Sequence, residues 1–412
     1  MRCSMKNLFR NNLQLFLLAD LICQFGAGIT LGTLNWLVLD HMGKNELVSY
    51  VFGVNVVCGL LISFFSGLIV DRFDKKAVVI WSNVFRIALT LITLLLFLFT
   101  GFHYSYVFLL AISNGIGWNI YFPATKALLQ SITAKGGNVL KGNSGAEIAM
   151  QVGMFSAGAV GGLLYKNLGF NTILIINIVM FVIASLLVKL ISVETTPAKT
   201  GLKLAHLKED FIDGFKYFRH RSAIFLLGIT MFIPFVAAGL INVSLPGYVS
   251  TFLNEDSVTF GLITMCYGIG ACISGLIIMN LSSKISRKGL VLAGFIIAIL
   301  CGGLMFVNHS VAIACFNNMM FGFCGSGIRI IMYSEVMEKL PSEYIGRAMS
   351  IWNVIGMALQ IGCTYIVGKS MDAWGAQYGF LILSSVMMLG FIIYGLSYRM
   401  GKKSSSSSTM AG

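Results

Sequence analysis

The chain has 412 residues, 57% of them hydrophobic and 11% charged, with a mean hydropathy of +0.84. A soluble globular domain carries about 25% charged residues, so soluble-domain and nucleic-acid-binding readings are excluded in spite of the net charge of +13. Apolar segments near the roughly 20 residues that cross a bilayer recur along the whole length, and the weak alternating segments of about 10 residues that mark a membrane β-barrel do not. The class is therefore an all-α polytopic membrane protein.

Twelve spans are predicted in chain order, at 12–39, 47–70, 77–100, 104–130, 142–165, 170–192, 222–250, 257–281, 289–307, 310–334, 347–368 and 376–398. The basic start "MRCSMKNLFR" runs into an apolar stretch too long for a signal-peptide core, so it is expected to stay as part of the first helix. Within span 1, Asp20 lies about eight residues in, roughly 12 Å deep at 1.5 Å per residue. At about 100° per residue, Gln24 and Asn35 fall within about 60° of it, which makes one polar stripe. Span 4 aligns Asn114, Trp118, Tyr121 and Thr125. Span 7 aligns Phe235, Gly239, Asn242 and Pro246, and span 10 aligns Asn318, Gly322, Gly325 and Arg329.

Two readings stand for these stripes: the lining of a substrate cavity made of amides and aromatic faces, or helix contacts in which small residues allow close approach and amides bond across. An acid at mid-span costs about 2.5–3.5 kcal/mol on insertion scales, so it faces protein or a water-filled cavity. Asp20 and Glu147 are accordingly the candidate proton carriers, because a carboxyl enclosed by protein can exchange a proton near neutrality; the competing reading for Glu147, about five residues into span 5, is that it reaches the cytoplasmic interface. The competing role for Asp20 is an ion pair with Arg86. The competing roles for Arg329 are binding an anionic group or snorkelling to the membrane surface.

Charge sets the expected orientation. Arg72/Lys75/Lys76, the bases from Lys189 to Arg221, and Lys284/Arg287/Lys288 fall on one side, whereas the other side holds Lys44, Lys166 and Lys369. By the positive-inside rule both termini are expected in the cytoplasm, with the chain in the cell membrane. The domain reading is a first six-span half at 1–192, a cytoplasmic linker at 193–221, a second half at 222–400 and a disordered serine-rich tail at 401–412. In the linker, Leu207, Phe211, Phe215 and Phe218 recur at helical spacing, which predicts either an amphipathic helix on the inner leaflet or a solvated linker helix. Six spans plus six, with "DRFDKK" at 71–76 answering "SKISRK" at 283–288, is the pattern of a secondary transporter with a midplane site between halves.

"GLIVDRFDKK" at 67–76 resembles the major facilitator superfamily loop G-x-x-x-D-R-x-G-R/K-R/K. Gly67, Asp71, Arg72, Lys75 and Lys76 fit the pattern, and Asp74 replaces its second glycine. With "NWLVLD", "YFPATKALLQ", "AGAVGGLL" and "LPSEYIGRAMS", the chain is similar to the drug-exporter branch that includes macrolide-efflux proteins. The antiporter pattern G-P-x-x-G-G reads Ala157-Gly158-Ala159-Val160-Gly161-Gly162 here, without its proline. The resemblance implies twelve helices in two pseudo-symmetric halves, with helices 1, 4, 7 and 10 around a central cavity. It also implies that the 67–76 loop latches the halves, with Asp71 facing a positive helix N-terminus such as that of span 11. The bases of that loop also satisfy the positive-inside rule alone.

No catalytic arrangement, cofactor or metal site is expected. "GCTYIVGKS" at 362–370 has five residues between its glycines where a phosphate loop needs four, and no strand precedes it. The cysteines read as small hydrophobes. The expected partners are a small-molecule substrate, protons and the lipid bilayer, with the chain as a monomer. The expected function is proton-coupled export of amphipathic organic compounds by rocker-switch alternating access. The alternatives are transport of an endogenous solute such as a siderophore, lysophospholipid or metabolite, and a non-transporting sensor or scaffold.

Overall fold

The structure is a computed structural model that describes residues 2–134, 139–193, 218, 221–340 and 342–409. Helix is the only regular structure among them, as the apolar sequence requires: a bilayer cannot bond exposed backbone groups, so a spanning segment must satisfy its own. The first four helices are α1 (Arg2–Met42), α2 (Asn45–Arg72), α3 (Lys75–Thr100) and α4 (Tyr104–Ala134). The run Val139–Leu190 is broken at Gly169, whose φ of 75° and ψ of 172° only glycine adopts readily, and it divides into α5 (139–168) and α6 (170–190). The rest are α7 (Ser222–Gly247, extended by a π turn at Tyr248–Phe252), α8 (Ser257–Lys284), α9 (Arg287–Val307), α10 (Val311–Lys339), α11 (Ser342–Trp374) and α12 (Tyr378–Thr409).

Eleven helical runs among the described residues are long and apolar enough to cross a membrane, and the run at 142–190 holds two of the twelve predicted spans. Sequence reading placed a short connection between spans 5 and 6; one left-handed glycine suffices. Several helices overrun their spans. α1 begins at Arg2, and α12 continues through the serines to Thr409, where a disordered tail was expected. Extending an existing helix fixes one residue per hydrogen bond, so propagation through moderately unfavourable serine costs little. The linker stretch read as amphipathic lies outside the described residues except for Phe218, which is buried and packs on Phe225 and Trp352 at 5.3 and 5.0 Å.

The chain forms two compact units. Unit 1 comprises residues 1–202 and 255–268, and unit 2 comprises 203–254 and 269–412. In unit 1, α1 packs on the α5–α6 run and on α4, α2 packs on α4, and α3 packs on α4 and α6. In unit 2, α7 packs on α10, α11 and α12, and α9 packs on α10 and α12. The sequence boundary assigned all of α8 to the second half, but its first turns group with unit 1. Ser257 Oγ donates to the Gly162 carbonyl at 3.0 Å, Lys166 pairs with Asp256 at 2.6 Å, and Phe260 meets Trp36 at 5.3 Å.

The loop at 67–76 has a definite local structure. Asp74 caps α3 by accepting from the Ala77 N–H at 2.7 Å. Lys76 Nζ donates to the Ile191 carbonyl at the end of α6 at 2.8 Å, and Lys75 Nζ donates to Ser131 Oγ on α4 at 3.3 Å. Asp71 and Arg72 are exposed, and a Cβ added to Gly67 would meet nothing within 4 Å.

Asp256 joins a cap to an ion pair. Its Oδ1 accepts from the N–H groups of Val258 and Thr259 at 3.0 and 3.1 Å, and its Oδ2 takes Lys166. The Lys166 bond holds its carboxyl below the usual value of 3.8, with the two backbone donors helping against a smaller opposing effect of burial.

Two predictions follow from these ends. Asp74→Ala removes a helix cap worth about 1 kcal/mol and lowers the apparent melting temperature, while Asp74→Asn, which still caps, retains most of it. Asp256→Asn keeps the cap and loses the pair; because both side chains are about half exposed, the loss stays below roughly 1 kcal/mol and shrinks in salt. Since the folded carboxyl titrates low, the stabilisation is present above pH 3.8 and is lost as pH falls through the lower folded value. Melting curves of the two proteins should therefore be separated at neutral pH and converge below the usual carboxylate range. A gap that persists in acid would show that the pair is not its source.

Candidate functional site

The polar residues inside unit 1 form a band between two apolar clusters. One cluster is built from Leu13, Phe16, Val79, Leu128 and Val188, and the other from Leu34, Val38, Leu94, Leu110 and Ile173. α1 contributes Asp20, Cys23 and Gln24, α3 contributes Asn83, Arg86 and Thr90, α4 contributes Tyr121, and α6 contributes Asn177 and Ser185, with Cys23 and Tyr121 shared with the first cluster. Asp20 is 6% exposed and Arg86 is 1% exposed.

Asp20 Oδ1 accepts from Tyr121 Oη at 3.0 Å and from Gln24 Nε2 at 3.2 Å. Tyr121 also serves Arg86, whose guanidinium carbon lies 5.1 Å from the Tyr121 ring centroid and 5.3 Å from that of Phe181. Arg86 Nη1 donates to Cys23 Sγ at 3.8 Å, Cys23 Sγ to Asn83 Oδ1 at 3.5 Å, and Asn83 Nδ2 to Ser185 Oγ at 3.2 Å. Asn177 closes the band by donating to the Gly26 carbonyl at 2.6 Å and accepting from Thr90 at 3.4 Å. Arg86 Nε and Nη2 and Gln24 Oε1 are buried without a protein hydrogen-bond partner.

The ion pair considered between Asp20 and Arg86 does not form among the described residues. Tyr121 intervenes, with its hydroxyl on the acid and its ring under the cation. A guanidinium that cannot deprotonate is instead accommodated by aromatic faces, an arrangement worth about 2 kcal/mol when desolvated. Its seat is Gly117, where an added Cβ would collide with Arg86 Nε.

The other predicted site residues scatter around this band. On α4, Asn114 and Trp118 are half-buried, Trp118 stacks on the exposed Phe122 at 5.6 Å, and Lys126 Nζ lies 5.4 Å from the Phe122 ring centroid. Thr125 is buried and bonds back to the Tyr121 and Phe122 carbonyls at 3.1 and 2.9 Å. Asn35 is buried farther along α1. Glu147 is exposed on α5 and accepts from Gln151 of its own helix at 2.8 Å.

In unit 2, Asn242 is half-buried and donates to the Ala238 carbonyl at 2.9 Å, Asn318 is fully buried, and Arg329 is exposed. Gly239 of the α7 stripe is a close approach to Gln360 of α11, whose amide donates to the Phe235 carbonyl at 3.3 Å. That part of the stripe is a helix contact.

Sequence reading missed Asn83, Thr90, Asn177 and Gln360. The signal for the α3 pair was present: Asn83, Arg86, Thr90 and Thr93 recur at intervals of three and four, a stripe as regular as that of α1. Among the described residues no group of His, Cys, Asp and Glu suits a metal ion.

A two-unit, all-helical membrane bundle with ionisable side chains enclosed at mid-height is the architecture of a transporter rather than an enzyme. The Major Facilitator Superfamily pattern matches residues 16–257 and 227–410, and the chain belongs to that family. It is 24% identical over 400 residues to the multidrug efflux pump Tap of Mycolicibacterium fortuitum, covering 93% of this chain and 95% of that protein. It is 22% identical over 304 residues to the putative bacilysin exporter BacE of Bacillus amyloliquefaciens, covering 73% and 75%. It is 21% identical over 350 residues to macrolide efflux protein A of Streptococcus pyogenes, covering 78% and 80%. The crystal structure of a point mutant of the nucleoside transporter NupG shares the fold, with a TM-score of 0.79 at 14% identity over 94% of this chain and all of that one.

The seat of Arg86 gives a further test. Gly117→Ala should cost about 1–3 kcal/mol by overpacking and depress the apparent melting temperature. In an Arg86→Ala background the same change should cost little, because the clashing atoms are gone. Additive losses across this double-mutant cycle would refute the contact.

Proposed function

We propose that this transporter exports amphipathic organic compounds across the cytoplasmic membrane in exchange for protons, by alternating access, with both termini in the cytoplasm. The observation that carries the reading is Asp20, a carboxyl enclosed at mid-helix whose bonded partners suit both protonation states. Ionised, it accepts from Tyr121 and Gln24. Protonated, its hydroxyl needs an acceptor, and Gln24 Oε1 is a buried acceptor with no other partner on the same amide. Asp20 is proposed over Glu147 because Glu147 is exposed and bonded within its own turn. The other charges acting on Asp20 are Lys126 and Glu147.

The proposed substrate face in unit 1 is the half-buried Asn114–Trp118–Phe122 side of α4, where an aromatic pair offers stacking to varied shapes. In unit 2 it is the half-buried Asn242 and the exposed Arg329, whereas Asn318 is fully buried and presents no face. The export direction and substrate class are supported by the names of the relatives, which are efflux proteins. The bilayer orientation is supported by the one-sided bases, and Asp71 and Arg72 are left as the exposed charges of the proposed latch. The bacilysin relative favours a second reading, an exporter of a metabolite the cell makes itself.

One proton moving down 100 mV supplies about 2.3 kcal/mol, enough for a roughly 50-fold gradient of a neutral solute. Cells expressing the protein and loaded with a macrolide panel should show concentrative efflux that an uncoupler collapses. Asp20→Asn should abolish concentration while downhill exchange persists. Uphill efflux by that variant removes Asp20 from coupling, and efflux indifferent to the uncoupler removes protons. Resistance to none of the panel, with export of an endogenous metabolite, selects the second reading.

A further inference from the structure

At the end of unit 1 opposite residues 71–76, a cavity of about 360 Å³ opens among the ends of α1, α3, α5 and α6. Its volume lies in the range of small-molecule sites, about 300–1,000 Å³. His41, Phe97, Phe102, Tyr165 and Phe170 supply its rings. Phe102 lies 4.2 Å from His41 and 5.7 Å from Phe97, and Phe170 lies 6.2 Å from Phe97 and 6.5 Å from Tyr165. The left-handed corner at Gly169 places Tyr165 and Phe170, from either side of the turn, on the same cavity. Phe97 and Phe170 belong to the buried core, so the walls are fixed before any ligand arrives.

The polar groups at this cavity include acceptors. Asp40 does not itself line the cavity, but its carboxylate is held beside two residues that do: Tyr165 Oη donates to it at 2.7 Å, and it lies 4.0 Å from His41 Nδ1. His41 Nδ1 lies 3.2 Å from the Leu37 carbonyl, which can only accept, so Nδ1 carries a hydrogen. Asn171 adds an amide. No lysine or arginine is among the lining residues, and neighbouring Lys166 is held by Asp256 at 2.6 Å.

From this juxtaposition we infer that the cavity is a binding site for an organic cation, a substituted ammonium whose charge meets the ring faces and Asp40. Aromatic faces attract cations through their quadrupole, and a carboxylate beside the cavity supplies the matching charge. The site is separate from the Asp20 band and does not depend on the export reading. Two sources carry this chemistry: a free amphipathic amine, or the amine headgroup of a membrane lipid.

The test is equilibrium binding of radiolabelled benzyltrimethylammonium to the full-length protein in phosphatidylglycerol nanodiscs, which contain no amine headgroup. Saturable binding at one site per chain is expected, weakened roughly tenfold by Asp40→Asn or by Phe102→Ala. Asp40 is largely exposed, so its variant should fold normally. Asp20→Asn should bind as the unaltered protein does. The uncharged carbon isostere of the probe should compete at least roughly tenfold more weakly than the unlabelled cation. Phosphatidylethanolamine in the disc should displace the probe if the native occupant is a headgroup, and leave it bound if the occupant is a free amine. The proposal is overturned by absence of saturable binding, by equal competition from the uncharged isostere, or by binding lost in Asp20→Asn and retained in both cavity variants.

Discussion

A bilayer supplies no hydrogen bonds, so each polar side chain enclosed in unit 1 has to be solvated by another part of the protein. Arg86 imposes this most severely, because its charge cannot be neutralised and its burial is nearly complete. The surrounding helices are shaped to it. Gly117 of α4 leaves room for the stem, Tyr121 and Phe181 present ring faces to the guanidinium, and Cys23 of α1 accepts one of its donors. Replacing any of these residues in isolation would leave a cation without its solvation shell. The band that follows, through Asn83, Ser185 and Asn177, ties α1, α3 and α6 at the same height as α4. Apolar packing above and below the band supplies most of the cohesion, and the polar band sets the register in which those helices meet.

Much of this was legible in the sequence. Hydropathy alone gave the spans, because length and backbone satisfaction leave a membrane segment no alternative to helix. The helical spacing of Asp20 and Gln24 correctly put them together, and Tyr121 came from a stripe read independently on α4. What spacing could not supply was the partner across helices. Asp20 and Arg86 invite an ion pair on charge alone, yet Tyr121 separates them. The α7 stripe looked equally suited to a cavity, until Gln360 of a distant helix was seen to fill the space at Gly239. Glu147, a candidate proton carrier, is exposed, and Arg329 is exposed too, the outcome that snorkelling of its long side chain gives.

The charged loop at 67–76 divides its charges by job. Asp74, which departs from the family pattern, is explained locally as the cap of α3, a role its glycine counterpart cannot play through a side chain. Lys75 and Lys76 brace α4 and α6, and a cation on the terminal carbonyl of α6 also complements the negative end of that helix. The bases read from the sequence as orientation signals thus also fasten the ends of the bundle. Asp71 and Arg72 remain exposed in this conformation, so the local fold makes no demand that accounts for them, which is the circumstance in which a role in another conformation is the economical explanation.

The contact between Tyr121 and Asp20 is placed on the least stiff turn of α4. Pro123 lacks the N–H that would bond the Asn119 carbonyl, and its ring crowds that carbonyl, so the helix is weakest just where Tyr121 leaves it. Tyr121 and Phe122 are consecutive and point about 100° apart, one toward the enclosed acid and the other, stacked on Trp118, toward the exposed face. Under the proposed function, occupation of the aromatic face and loss of a proton from Asp20 would therefore need no side-chain path between them. Each acts on the same turn of backbone, and Thr125, bonded to the carbonyls of both Tyr121 and Phe122, holds that turn together when the proline cannot. A bend at Pro123 that favours one contact must move the other, which is the physical form that competition between substrate and proton would take.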